Sequence, residues 1–118
     1  MPGARFQVLA GSGFEITPQD VKRRIDAGEK LRLIDVRELF EVRQAAIEGA
    51  EVIPMADVPN AVGSLEDEDK PIIVFCHHGV RSLRVVAWLR EHGVENCVSM
   101  AGGIDRWSVE IDAAVPRY

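Results

Sequence analysis

A cysteine, two histidines, a glycine and an arginine stand together in "IIVFCHHGVRSLRVV", Ile72 to Val86. A thiol acts as a nucleophile only as its thiolate, so what surrounds Cys76 decides what it can do. If Cys76 opens a loop and Arg81 or Ser82 begins a helix, the N–H groups of His77, His78, Gly79 and Val80 can turn inward as an anion-binding concavity. The helix adds its positive end and its unsatisfied N–H groups. Gly79 allows a backbone conformation that a side chain would resist. Arg81, and His77 and His78 when protonated, add positive charge. Together these features favour thiolate over thiol and cradle a negatively charged sulfur or an anion attached to it.

Other chemistries fit less well. A cysteine that ends an apolar strand can be a small buried hydrophobe, but the residues after Cys76 are poor choices for core packing. Cys76, His77 and His78 are consecutive and no second ligand pair is evident, which argues against zinc. There is no GxxxxGK[ST] phosphate loop, and Gly102-Gly103 alone is too little for a dinucleotide site.

The loop needs elements to hold it. "FEITPQDVKRRIDAG" gives a short strand and then a helix, with Thr17 as N-cap, Pro18 at the first position and Gly28 as the stop. Val21 and Ile25 fall on its inward side. "LRLIDVRE" reads as a strand ending in charge at Asp35 and Arg37, "ELFEVRQAA" as a short helix and "AEVIP" as a short strand. "ADVPNAVGSL" is helical or irregular, and Glu66 to Lys70 is a solvated charge run. "PIIVF" is an unbroken apolar strand, as expected when both faces are covered. A helix with a broad apolar face (Leu83, Val85, Val86, Ala87, Trp88 and Leu89) follows and stops at Gly93. "NCVSM" and "GGIDRWSVEI" supply a last strand and helix. This alternation predicts an α/β fold with an open, mainly parallel sheet of about five strands. Ligands of such sheets gather at the carboxyl ends of the strands, which is where Asp35, Arg37 and Cys76 fall.

At 118 residues the chain suits one domain, with residues 14–118 as its body and residues 1–13 as a loosely held extension. A net charge of −5 argues against a nucleic-acid or anionic-membrane partner. No apolar run is long enough to span a bilayer and the N-terminus lacks a secretory pattern. Two cysteines make no disulfide framework, so a reducing, cytoplasmic setting is the default expectation.

"LIDVRE", "EVRQAAIEGAEVIP", "VFCHHGVRS", "MAGGIDRW" and the closing "VPRY", in that order, resemble the rhodanese-like domains from about Phe14 to Tyr118. The resemblance implies an open parallel sheet with helices on both faces. It also implies sulfur transfer: Cys76 would take a sulfane sulfur from a small anionic donor such as thiosulfate, hold it as a persulfide, and pass it to cyanide, a thiol or a protein thiol. No metal or organic cofactor is implied. The alternative is a persulfide relay serving a protein partner in sulfur-containing cofactor biosynthesis, since rhodanese domains fused behind adenylyltransferases also tend to end in "VPRY". The spacing from Cys76 to Arg81 is C-x4-R, whereas related phosphatases and arsenate reductases use C-x5-R, so the shorter loop points to sulfur. Where many members carry "GHIPGA" this chain has "AAIEGA", with Ala45, Ala46 and Glu48 in place of glycine, histidine and proline.

Several neighbours keep two readings. Asp35 either accepts from the loop's N–H groups or pairs with Arg81, or else it pairs locally with Arg37. Arg37 either helps to bind the donor or forms a solvent-exposed salt bridge. His77 and His78 contact donor or partner, or only lend their backbone. Cys97 is a structural strand residue or a resolving thiol, and Trp88 and Trp107 pack the core.

Overall fold

A computed structural model describes residues 13–118; the extension expected over residues 1–13 lies, except for Gly13, outside the described residues. Five parallel strands form one sheet in the order β1-β5-β4-β2-β3. They are β1 (Glu15–Ile16), β2 (Arg32–Asp35), β3 (Glu51–Val52), β4 (Ile72–Phe75) and β5 (Cys97–Met100). The helices are α1 (Pro18–Asp26), α2 (Leu39–Gln44), α3 (Val58–Glu66), α4 (Val80–Glu91) and α5 (Gly103–Glu110), with a 3-10 turn at Met55–Asp57. The fold is the α/β architecture that the alternation predicts. Among the described residues no helix is long and apolar enough to cross a membrane.

The central strand explains the two-sided core. All four residues of β4 are buried, and the pleat sends them alternately to opposite faces. Ile73 and Phe75 join Val98 and Met100 of β5, Val21 of α1, and Ile104 and Trp107 of α5. Ile72, Val74 and then Cys76 join Ile34, Val58 and Leu65 of α3, and Val85, Val86 and Leu89 of α4. Cys76 therefore continues the pleat and faces the α3–α4 side.

Local chemistry sets the helix ends. The amide of Asp20 donates to Thr17 Oγ1 at 3.1 Å, and Gly28 follows α1 with φ +82°, as the sequence predicts. Ile25, expected inward, is 38% exposed: α1 presents only its Val21 edge to the core. Leu83 is also at the surface and Trp88 only half-buried, so the apolar face of α4 is narrower than expected. "ADVPNAVGSL" resolves into the 3-10 turn and regular helix α3.

The turn from β5 into α5 locks the cysteine loop. Ile104 donates its N–H to the Cys76 carbonyl at 2.9 Å, and Asp105 donates to the His77 carbonyl at 3.1 Å. Gly103 (φ +59°) lies so close that a β-carbon there would collide with both carbonyl oxygens. Gly103→Ala should therefore lower stability by about 2–3 kcal/mol, whereas Gly28→Ala, strained in φ but with open space around it, should cost only about 1 kcal/mol. Thermal unfolding of the two variants checks this contrast.

Candidate active site

The loop from β4 to α4 is tighter than expected, since the helix starts ahead of both Arg81 and Ser82. Helix α4 begins at Val80, with Gly79 as N-cap at φ 101°. That conformation favours glycine, and a β-carbon there would stand 3.1 Å from the amide nitrogen of Gly102. The turn folds the backbone N–H groups back on the sulfur. Gly79 donates to Cys76 Sγ at 3.1 Å and Ser82 donates at 3.4 Å. Ser82 Oγ lies 3.4 Å from the same sulfur and 2.7 Å from Ser99 Oγ on β5. Cys76 is only 1% exposed, so the sulfur sits at the bottom of a cradle of fixed donors beside the N-terminal end of a 12-residue helix.

The charged residues are arranged differently from the first expectation. Asp35 does not reach Arg81 or the loop. Its carboxylate takes Arg37 Nε at 2.9 Å and Nη2 at 2.6 Å, together with the Arg37 backbone N–H at 3.0 Å. Arg37 is neither solvent-exposed nor open to a donor, being fully buried. Its remaining donors go to the carbonyls of Ala45 and Glu41 and to the Tyr118 hydroxyl. This pair is a structural pin between β2 and α2, and Ala45 serves it with a backbone carbonyl that the departure from "GHIPGA" leaves intact.

Arg81 is clamped by a residue that the sequence reading did not single out. Its Nη1 and Nη2 donate to Glu41 Oε1 at 2.7 Å and Oε2 at 2.9 Å. Glu41 also accepts from the Glu38 backbone N–H at 3.2 Å and from the Tyr118 hydroxyl at 2.8 Å. Arg81 and Tyr118 outweigh burial and hold the Glu41 carboxyl down at about 2, and Glu41 in turn raises Arg81. The E-x-x-E spacing of Glu38 and Glu41 is a capping signal that could have marked Glu41. Tyr118 gave no local signal, since its partners lie 77 and 81 residues away.

His77 stacks on the Tyr118 ring at 3.9 Å, and burial followed by the neighbouring His78 pushes its imidazole down, so it is neutral near pH 7. His78 is exposed, 3.9 Å from Asp105 Oδ2. Val80 is exposed at the mouth of the loop. Cys97 does not join the site. It pairs in register with Ile72, four residues along β4 from Cys76, or about 13 Å. Its thiol donates to the Val94 carbonyl and is pushed up to about 11 by burial, as befits a structural residue.

The Glu41 clamp carries a pH signature. A depressed carboxyl adds stability that is fully present above the ordinary value of 4.5 and is lost as pH falls towards 2. Between those limits the chain should lose on the order of 2 kcal/mol through this group. Denaturant titrations across that range should give a shallower pH slope for Glu41→Gln; an equal slope would refute the clamp.

The comparisons with known proteins agree with this fold. The sequence pattern of the rhodanese-like domain matches residues 17–110. YtwF of Bacillus subtilis, whose name provisionally assigns it as a sulfurtransferase, is 40% identical over 96 residues, covering 81% of this chain and 91% of that protein. MoeZ of Mycobacterium tuberculosis, named provisionally as an adenylyltransferase/sulfurtransferase, is 32% identical over 110 residues; the match covers 92% of this chain but only 28% of MoeZ. The crystal structure of a rhodanese-related protein from Thermoplasma volcanium superposes with a TM-score of 0.72 at 33% identity, covering 82% of this chain and 92% of that one. The chain belongs to the rhodanese-like domain family.

Proposed function

We propose that this chain is a sulfurtransferase that carries a sulfane sulfur as a persulfide on Cys76. Sulfur transfer in the general sense is supported by family membership and by relatives whose names carry it. The observation that carries the finer reading is the convergence of the Gly79 and Ser82 N–H groups on Cys76 Sγ at 3.1 and 3.4 Å. Fixed donors aimed at a sulfur atom stabilise negative charge there at no reorganisation cost. The cradle also serves both ends of the cycle, since the thiolate and the persulfide are both sulfur anions.

The steps balance without a redox partner. The Cys76 thiolate attacks the outer sulfur of thiosulfate, the S–S bond breaks, and sulfite leaves with the electron pair. Cyanide or an acceptor thiolate then attacks the outer sulfur of the persulfide. Thiocyanate or a new persulfide departs and the Cys76 thiolate returns. Gly79 and Ser82 supply the N–H groups that meet the sulfur, Glu41 holds Arg81 on the loop's own helix, and the Asp35–Arg37 pair keeps β2 fixed to α2.

A second reading, a relay that delivers the sulfur to a protein, draws on one further observation. Leu39 and Phe40, at the start of α2 after the carboxyl end of β2, and Val80, in the loop's own helix, are 56, 62 and 61% exposed. Apolar side chains beside a reactive loop suit a macromolecular acceptor better than cyanide.

Intact mass after incubation with thiosulfate tests the mechanism. The chain should gain one sulfur atom, lose it on addition of cyanide, and gain none as Cys76→Ser. Loading followed by slow release to cyanide but fast release to a protein thiol would favour the relay. No gain from thiosulfate or from a persulfide donor would refute the Cys76 mechanism.

A further inference from the structure

Among the described residues around the cradle, Arg81, Arg37, Arg106 and Arg117 each have an acidic partner. From α4, Arg81 is held by both oxygens of Glu41. From β2, Arg37 is held by Asp35. From α5, Asp105 takes Arg117 at 2.8 Å and lies 3.9 Å from His78, while Arg106 pairs with Glu110. His77 is neutral near pH 7, for the reasons given above. Arg84, one turn beyond Arg81, lines a groove with Met55, Val58 and Pro59 on the α3 side. The attraction offered to a sulfur anion therefore comes chiefly from backbone N–H groups.

Glu41 is built to keep it so. Its side chain is 6% exposed, and its two oxygens accept four hydrogen bonds, from Arg81 twice, Glu38 and Tyr118. Tyr118 completes the hold, because its hydroxyl also accepts from Arg37 at 2.8 Å and its ring covers His77. The clamp therefore cannot swing away to free Arg81 without breaking part-buried hydrogen bonds to three segments of the chain.

We infer that Glu41 is a specificity-determining residue: by cancelling the charge of Arg81 beside Cys76, it disfavours dianionic donors such as thiosulfate and leaves the cradle suited to persulfide donors of lower charge. This rests on the Cys76 persulfide reading. Donor loading then begins with attack of the Cys76 thiolate on the outer sulfur of an R–S–SH molecule. The donor's S–S bond breaks, R–S⁻ leaves with the electron pair, and Cys76 carries the S–SH group. The loop needs to stabilise only one negative charge at a time, which two N–H groups and a hydroxyl can do. Thiosulfate brings two charges, and its sulfite end needs a free cation that Arg81 does not supply.

The test compares single-turnover loading of Cys76, read by intact mass, with thiosulfate and with freshly generated cysteine persulfide. Wild type should reach half-maximal rate at a lower concentration of the persulfide. Glu41→Gln keeps the side-chain shape but frees the charge of Arg81. It should lower the half-saturating concentration of thiosulfate by about tenfold relative to that of the persulfide. Wild type should also show thiosulfate half-saturation that changes less than about twofold between low and moderate salt, since the charge of Arg81 is already balanced by Glu41. An unchanged donor ratio in the variant, a wild-type preference for thiosulfate, or a steep salt dependence in wild type would overturn the inference. Should the variant unfold, the wild-type ratio and salt series decide alone. Loading by neither donor would instead refute the Cys76 reading on which the inference depends.

Discussion

The carbonyls of Cys76 and His77 are bound by the first N–H groups of α5, and the rest of the site depends on that contact. A peptide unit whose carbonyl points one way sends its N–H the other way. Anchoring the two carbonyls against α5 thus fixes the start of the turn whose later amides, those of Gly79 and Ser82, meet the sulfur. Two glycines make the approach possible: Gly103 lies against the loop's carbonyls, and Gly79 lies against the Gly102 amide. The positive end of α5 is used to fix the loop, while that of α4 faces the sulfur.

Around this backbone device the side chains are arranged to hold shape, with their charges matched. Two ion pairs, Asp35–Arg37 and Glu41–Arg81, meet at the Tyr118 hydroxyl, which accepts from one and donates to the other. The Asp35–Arg37 pair, fully buried, loses much of its attraction to lost hydration, so its value lies less in net stability than in a fixed geometry. Together the two pairs tie β2, α2, α4 and the far end of the chain into one frame. His77 is held flat against the tyrosine ring, so the loop is supported from its outer side as well as from α5.

Much of the fold was legible because the chain follows local rules. The unbroken apolar run at Ile72 to Phe75, the Thr17-Pro18 helix start and the alternation of elements each have one structural solution. Cys76, Gly79 and Ser82 were legible for the same reason, since a loop between a strand and a helix fixes where its own atoms go. What the sequence could not show was partner choice. Asp35 had two cations within reach of argument and took the one two residues away; Arg81 found Glu41 across 40 residues. Arg37 read either as a donor contact or as a surface salt bridge and is buried, because only packing decides whether a guanidinium finds enough acceptors to leave water.

The place of Cys76 in the pleat makes strand registry decide which groups its sulfur meets. Cys76 lies on the α3–α4 face because it is two residues beyond Val74, itself aligned with Ile34 of β2 and Ser99 of β5. Inserting or deleting one residue within β4 would rotate the thiol to the α1–α5 face, away from Ser82. An insertion of two would restore the face but move the sulfur by roughly 6–7 Å along the strand, past its donors. The four residues of β4 thus act as a ruler that aims the sulfur.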